Sequence, residues 1–316
     1  MLYLPIYEPH EPAQQLYKRG LREALQRVGL VWEVDYVNQR YDLVEIVNRW
    51  QPHLLLMQAH SASAIPLDKL IAAREARPEM VVINWNGDVY EDLLTNSAML
   101  TYLRHVDLQL IVNDSVRKVY DQHGIASAYW QVSYEPVDYD TLSEVPKHDV
   151  VFLANCRTDW RRLLGQTLQS MSGINVGVYG RGWKWANGDC TYNFPIGCAL
   201  YQNAQIAIGD NEFQEQYGFV SNRIFEALAS GVFLLHQTVK GLEALTGLQD
   251  GVHYVAWTDV EDLQRKIRHW LEPRHLEHRG RILREGRDYV RANHNFDRRI
   301  QELLGLLERV GERSIA

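Results

Sequence analysis

Short apolar runs alternate with amphipathic segments through the first half of the chain. The apolar runs are LYLPIY, VWEVDYVN, HLLLMQ, MVVINW, LQLIV and SAYWQV. Between them lie segments with helical spacing, such as AQQLYKRGLREALQRVG, DLVEIVNRW and LDKLIAAREA. Strands that alternate with helices predict a parallel sheet covered on both faces. For the segment VRKVYDQH, the pattern predicts Ser115 as N-cap and Gly124 as the closing glycine.

The alternation is interrupted by the polar segment SYEPVDYDTLSEVPKH and then resumes. The later predicted strands are DVVFLANC, INVGVYG, AQIAIGD, VFLLHQ and HYVAW, and the predicted helices include DWRRLLGQTLQSM, SNRIFEALASG and VEDLQRKIRHWL. Polar segments with proline mark domain boundaries, so we expect an N-terminal domain over residues 1–140 and a C-terminal domain over 141–294. The charged tail predicts a helix over 295–316 that crosses back to the first domain, with a merely solvated helix as the alternative.

Composition narrows the class of protein. The 316 residues are 46% hydrophobic and 23% charged, as in a globular enzyme. A net charge of −7 gives no electrostatic support for a nucleic-acid partner. Cys156, Cys190 and Cys198 lack zinc-ligand spacing, which predicts free thiols and no metal site. No secretory leader or bilayer-length apolar stretch occurs, so we expect a cytoplasmic protein without a transmembrane segment.

The segment YGFVSNRIFEALASGVFLL carries the clearest chemistry. Ser221 is placed to cap a helix, and Asn222 and Arg223 fall in the first turn. Glu226 follows one turn later on the same face. A helix N-terminus offers free N–H groups to phosphates, an arginine adds charge, and a glutamate accepts hydrogen bonds from both ribose hydroxyls. The segment therefore predicts a nucleotide-diphosphate site.

The alternative for this segment is an ordinary capped helix with a solvated glutamate. Glu226 lies between apolar neighbours, however, and a carboxylate in such surroundings needs a partner. Gly231 then ends the helix and a strand follows at once, which brings the helix start close to neighbouring strand ends. Both observations favour the nucleotide site.

SNRIFEALASGVFLL, followed by GLEAL, a strand and DVEDLQRKIRHWL, resembles the C-terminal half of GT-B glycosyltransferases of the spore-maturation-protein-like group. INWNGD and LQLIVNDSVRKVYDQHG extend the resemblance more loosely to the first half. The resemblance implies two tandem Rossmann-like, doubly wound α/β domains that face a central cleft, with the C-terminal helices packed back toward the N-terminal domain. It implies that Glu226 binds the ribose of a nucleotide-sugar and that Asn222 and Arg223 lie at the diphosphate.

Two further features follow from the resemblance. Many retaining relatives carry an acidic residue about two helical turns before the ribose-binding glutamate, and this chain has Gly218 there. In the loop RTDWRR, Arg157 and Arg162 take the positions of two basic residues that neutralise the leaving diphosphate in related enzymes. Fixed cations of this kind make a metal dispensable, so no cofactor is expected. A surface arginine cluster is the alternative, although the helix dipole disfavours cations at a helix start.

The motif YGRGW follows a predicted strand of the second domain. Gly180 would permit close approach of the backbone to a ligand, and a simple tight turn is the alternative. Trp183 would stack on a base or a sugar, or would close the core.

Three candidate catalytic residues follow strands of the first half. His60 follows HLLLMQA, Asp88 follows MVVINWNG, and His10 follows LYLPIY. In related transferases a histidine at the position of His60 contacts the donor sugar, and an acid or histidine of this domain acts as base in inverting members. For Asp88 the alternative is a helix cap, and for His10 a plain loop residue.

These features predict a metal-independent glycosyltransferase that moves a hexosyl group from a UDP- or GDP-sugar to an acceptor hydroxyl. A nucleotide-sugar epimerase or hydrolase, and a non-catalytic nucleotide-sugar-binding protein, are the alternatives. The acceptor stays open among glycans, small molecules and a hydroxymethylated DNA base, the last disfavoured by the acidic charge. A dehydrogenase is not supported, because no GxGxxG motif follows the first strand.

Overall fold

The computed structural model describes residues 1–5, 12–34, 42–87, 96–134, 145–184, 187, 194–211 and 216–315. The chain divides into two compact units. Unit 1 comprises Met1–Val132 and Phe296–Ala316, and unit 2 comprises Ser133–Asn295.

Unit 1 is built on a parallel sheet. Its described strands are β1 (Leu2–Leu4), β2 (Trp32–Glu33), β3 (Leu54–Met57), β4 (Val81–Asn86), β5 (Leu108–Ile111) and β6 (Ser127–Tyr129). They lie in the order β2-β1-β3-β4-β5-β6, and every pairing is parallel. Strands such as β3 are buried along their whole length because helices cover both faces of a parallel sheet.

Helices of unit 1 form two cores against this sheet. They are α1 (Pro12–Val28), α2 (Leu43–Trp50), α3 (Leu67–Ala76), α4 (Ser97–Leu103) and α5 (Arg117–Gln122). The last helix of the chain, numbered α12 (Phe296–Ile315), belongs to the same unit, and its Phe296, Ile300 and Leu303 pack in the core that contains Trp85 and Trp130.

The start of α5 differs from the prediction. Asn113 caps the short 3-10 turn Asp114–Val116 by accepting from the Ser115 N–H at 3.1 Å. Ser115 therefore lies inside this turn and does not cap it. Gly124 follows the helix with φ 67°, as the predicted closing glycine should.

Unit 2 is built on a second parallel sheet. Its described strands are β7 (His148–Leu153), β8 (Val176–Tyr179), β9 (Ala204–Gly209), β10 (Phe233–Gln237) and β11 (Val255–Trp257). Its described helices are α6 (Asp159–Gln169), α7 (Phe194–Gln202), α8 (Asn222–Ser230), α9 (Leu242–Thr246), α10 (Val260–Leu271) and α11 (Leu276–Asn293). The strand order is β11-β10-β9-β7-β8, again with parallel pairing.

The direction of strand addition reverses between β7 and β9. After β7 the chain adds β8 on one side, and it then returns to add β9 on the other side. In open parallel sheets the carboxyl ends of the two strands at such a reversal border a crevice in which ligands bind. The two parallel sheets confirm the predicted α/β, doubly wound fold class. The strand order indicates a ligand site at the loops after β7 and β9.

Two simpler expectations concern cysteines and membranes. Cys156 and Cys198 form no disulfide bond, and Cys190 lies outside the described residues. Within the described part of the chain, no helix combines the length and the apolar composition that crossing a membrane requires.

Candidate functional site

A buried carboxylate lies at the carboxyl edge of the second sheet. Asp210 directly follows β9 and has no solvent exposure. Its Oδ2 accepts from Arg161 Nε at 2.7 Å, and its Oδ1 accepts from Arg223 Nη1 at 2.7 Å. The two arginines come from different helices, α6 and α8, so this one carboxylate connects both helices to the strand end.

The charges at Asp210 leave an excess of positive charge. Burial alone would raise the pKa of Asp210, but Arg223 and Arg161 lower the pKa below its ordinary value. Asp210 is therefore a carboxylate at neutral pH, and the three side chains together carry one net positive charge. An anion bound beside them would complete the charge balance.

The start of α8 has the predicted arrangement. Ser221 is the N-cap, with extended backbone, and its Oγ accepts from the Arg223 N–H at 3.4 Å. Asn222 Nδ2 donates to Glu226 Oε1 at 3.4 Å, which orients a half-buried carboxylate one turn into the helix. Because a helix leaves its first N–H groups without helical acceptors, this end of α8 is suited to phosphate oxygens.

Gly218 lies before this helix. Its φ is 77°, and its N–H donates to Lys240 O at 2.8 Å. Since α8 begins only at Asn222, the spacing from Gly218 to Glu226 does not correspond to two turns of helix. A left-handed backbone disfavours a side chain, so the local conformation gives a physical reason for glycine in place of an acid.

Gly180 makes close contact with the neighbouring loop. It follows β8 with φ 138°, and a Cβ at this position would lie 2.0 Å from Ala154 O. The Arg181 N–H donates to Asn155 Oδ1 at 2.9 Å, so the loops after β7 and β8 are joined side by side. The glycine is thus required by contact within the protein, whether or not a ligand also approaches.

Trp183 packs in the way that the core-closing alternative requires. Its ring lies 6.1 Å from Phe152 in an edge-to-face arrangement, and its Nε1 donates to Ala154 O at 2.6 Å. The side chain is half-buried, which leaves one part of the ring facing outward.

The predicted arginines of the RTDWRR loop are exposed at the start of α6. Thr158 caps this helix, Arg157 precedes it, and Arg162 forms an ion pair with Asp159 at 2.5 Å. Arg161 points inward to Asp210, a role that the sequence pattern did not indicate. Neighbouring positions on a helix point about 100° apart, so the doublet Arg161-Arg162 does not reveal which member is buried.

A buried histidine lies beside Asp210 and its two arginines, and the sequence pattern did not indicate it either. His236, on β10, is fully buried, and its Nδ1 lies 2.6 Å from Gln237 O. Burial lowers its pKa to about 4, so the ring is neutral, with Nδ1 as the donor. Its Nε2 has no hydrogen-bond partner among the described residues. A Cβ on Gly209 would lie 2.2 Å from the His236 Cδ2, so this glycine makes room for the ring.

The candidates of the first domain are described only in part. His60 is half-buried in the loop after β3, at the carboxyl edge of the first sheet. The loop is held in place by Asn84, whose Oδ1 accepts from the Ala59 N–H at 2.8 Å. Asp88 and His10 lie outside the described residues.

Comparisons with known proteins agree with this architecture. Residues 157–305 match a family model described as glycosyl transferase-like. Sucrose-phosphate synthase from Thermosynechococcus elongatus superposes with a TM-score of 0.63 at 12% identity, over 99% of each chain. Anabaena HepE in complex with UDP gives a TM-score of 0.64 at 12% identity, over 98% of this chain and 99% of HepE.

A glycosyltransferase from Rickettsia africae ESF-5 gives a TM-score of 0.59 at 11% identity, over 98% of this chain and 97% of that chain. No curated protein matches the sequence. The matched residues 157–305 include Arg161, Asp210 and the start of α8. The chain therefore shares the GT-B fold of these structures over nearly its whole length, and its residues 157–305 are similar to the glycosyl transferase-like family.

Proposed function

We propose that the protein transfers a hexosyl group from a UDP-sugar to an acceptor hydroxyl, without a metal ion. The observation that carries the proposal is the start of α8, where a capped helix N-terminus, the anchored cation Arg223 and the half-buried Glu226 lie within two turns. HepE shares the fold, and two of its structures contain a donor nucleotide. One is a complex with UDP, matched at 12% identity, and the other is a complex with UDP-glucose, matched at 11% identity. This likeness supports the choice of nucleotide.

The diphosphate is assigned to the N-terminus of α8. The positive end of the helix dipole attracts phosphate oxygens, and Arg223 adds a charge that Asp210 holds in position. Asn222 lies in the same turn. Arg157 and Arg162 are exposed at the neighbouring start of α6 and are assigned to the same phosphates.

The ribose is assigned to Glu226. Its second carboxylate oxygen accepts hydrogen bonds from ribose hydroxyls, while Asn222 donates to the first. Gly180 and Trp183 are assigned to the same donor site, because their loop after β8 is hydrogen-bonded to the loop after β7.

In the reaction, the acceptor oxygen forms a bond to the anomeric carbon, and the bond from that carbon to the β-phosphate oxygen breaks. UDP leaves with the electron pair, and fixed arginines stabilise the negative charge that develops on it. The proton of the acceptor hydroxyl goes to a base, for which His60 is the described candidate, with Asp88 and His10 as further candidates.

Binding of UDP, GDP and dTDP to the purified protein, measured by calorimetry with and without EDTA, tests the donor site. We expect UDP to bind selectively and equally well in EDTA. Glu226→Gln, which keeps the shape of the side chain, should weaken UDP binding by about tenfold or more, because the ribose loses a charged acceptor. The matched control is Glu261→Gln, at an exposed position of α10, which should bind UDP like the wild type.

An absence of binding with every nucleotide would overturn the proposal. Binding of UDP-glucose followed by release of free glucose, without any acceptor, would indicate hydrolysis in place of transfer. An acceptor screen with the nucleotide that binds then identifies the second substrate.

A further inference from the structure

Three side chains with metal-ligand chemistry meet at the junction between α10 and α11. They are His269, Glu272 and His275, and one ligand atom from each lies within 4.8 Å of the other two. They belong to elements other than those that carry the donor site, so they are outside the function proposed above.

The local backbone brings the three residues together. α10 ends at Leu271, Glu272 is extended with ψ 133°, and Pro273–His275 forms a 3-10 turn. The N–H of Glu272 donates to His269 O at 3.2 Å, and the N–H of His275 donates to Glu272 O at 3.0 Å. Both hydrogen bonds join residues three positions apart, as in a 3-10 helix. Residues with this spacing lie on the same side of the backbone, so the three side chains are neighbours.

The two imidazole rings are supported by the core. His269 and His275 have ring centroids 3.8 Å apart, and both rings contact Trp270 at 5.2 and 5.7 Å. Trp270 is 8% exposed and packs on Phe233, at 4.9 Å. Trp270 fixes the place of both rings, and binding of one ion requires a rotation of the rings that turns one nitrogen of each toward the ion.

Two atoms of the cluster are suited to bind a metal ion, one from His275 and one from Glu272. The Nε2 of His275 is buried and has no hydrogen-bond partner within the described ranges. The Oε2 of Glu272 lies 2.7 Å from Arg274 Nε, an ion pair in which the arginine is 71% exposed. A cation bound to the other carboxylate oxygen leaves this pair in place, as an outer group that orients the ligand.

We propose that His269, Glu272 and His275 bind one divalent transition-metal ion, with zinc as the representative ion. Two imidazoles and one carboxylate suit Zn²⁺, whereas Mg²⁺ and Ca²⁺ prefer oxygen ligands alone. The bound ion joins the C-terminal end of α10 to the N-terminal end of α11 and so stabilises unit 2. It takes no part in donor binding or group transfer.

The test uses the full chain, free of any polyhistidine tag and stripped of metal with a chelator. ZnCl₂ is titrated by calorimetry, and thermal unfolding is followed with and without ZnCl₂. We expect one equivalent to bind and the unfolding temperature to rise, because the ion binds the folded state. MgCl₂ at the same concentration should give neither effect.

Variants assign the ligands. His269→Ala, Glu272→Gln and His275→Ala should each weaken zinc binding by about tenfold or more, because each removes a direct ligand. His53→Ala, which removes an exposed histidine of unit 1, should bind zinc like the wild type. CoCl₂ gives a second readout, since visible absorption bands of bound Co²⁺ should appear in the wild type and be absent in His269→Ala/His275→Ala.

Failure to bind zinc at a saturable site overturns the proposal, as does unchanged zinc binding in His269→Ala/His275→Ala. Zinc binding without a rise in the unfolding temperature overturns the stabilising role. His269 is exposed and Glu272 is half-buried, so we expect their single variants to fold. These two variants test the site even if His275→Ala fails to fold.

Discussion

Arg223 Nη1 lies 2.7 Å from the carboxylate of Asp210, which is completely buried at the end of β9. The cation assigned to the donor phosphates is therefore held by an acid from another element of the same unit. Arg161 reaches the same carboxylate from α6. The position of the phosphate-binding charge thus depends on one residue that contacts no phosphate in the proposal.

Asp210→Asn should lower the free energy of unfolding by about 3 kcal/mol, because it leaves two largely buried guanidinium groups without their counter-charge. Urea denaturation at pH 7 measures the change. The matched control is Asp297→Asn, in a pair with Arg27 whose two side chains are 61% and 54% exposed. Exposed pairs contribute little, so the control should lose less than about 1 kcal/mol. An equal loss in both variants would contradict the importance of burial.

His236 should make stability depend on pH between 4 and 6.5. Its pKa is about 4 in the folded protein, against an ordinary value of 6.5 for an unburied histidine, so the unfolded chain binds a proton first as the pH falls. The contribution of neutral His236 is complete above pH 6.5 and is lost as the pH falls toward 4. Linkage gives a loss of about 2 kcal/mol between pH 7 and pH 5.

The measurement compares urea denaturation at pH 7 and pH 5 for the wild type and His236→Asn, whose amide can still donate to Gln237 O. The variant should lack this part of the pH dependence even if it is less stable at both values. Asp210 does not confuse the result, because its pKa is lowered from 3.8 and it stays ionised in this window. The same pH dependence in both proteins would contradict the assignment.

The sequence predicted the parts of the fold that follow from local patterning. β3 is a continuous apolar run and β10 begins with one, and both strands are buried along their whole length. The cap at Ser221 and the glycine at Gly231 are local signals, and the structure has both. α7, over FPIGCALYQ, was not predicted, since its largely apolar sequence lacks an amphipathic period.

The buried members of the site were harder to predict because they depend on tertiary contacts. Asp210 follows a predicted strand, but only the folded sheet shows that two helices supply arginines to it. His236 follows the apolar run VFLL and precedes Gln237, and its residue type alone does not indicate burial beside a charge cluster. The choice between Arg161 and Arg162 depends on the rotation of α6 on the sheet, which the loop sequence does not specify.

Substitution of Arg162 should therefore weaken UDP binding, whereas substitution of Arg161 should lower stability. Arg162 is 57% exposed, so Arg162→Ala should change the free energy of unfolding by less than about 0.5 kcal/mol while weakening UDP binding by about tenfold. Arg161 is 9% exposed and paired with Asp210, so Arg161→Ala should cost about 3 kcal/mol of stability. Calorimetry with UDP and urea denaturation separate the two effects. Unchanged UDP binding in Arg162→Ala would remove Arg162 from the donor site.

Alanine substitutions at three glycines distinguish the cost of a positive φ from the cost of a steric clash. Gly180→Ala should be the most destabilising change, by more than about 2 kcal/mol, because it combines a φ of 138° with a Cβ placed 2.0 Å from Ala154 O. Gly173 has a φ of 76° and open space around it, so Gly173→Ala should cost about 1 kcal/mol from the backbone alone. Gly29 has open space and no positive φ, so Gly29→Ala should be nearly neutral. Thermal unfolding ranks the three variants, and equal losses in Gly180→Ala and Gly173→Ala would show that the loops after β7 and β8 can move apart.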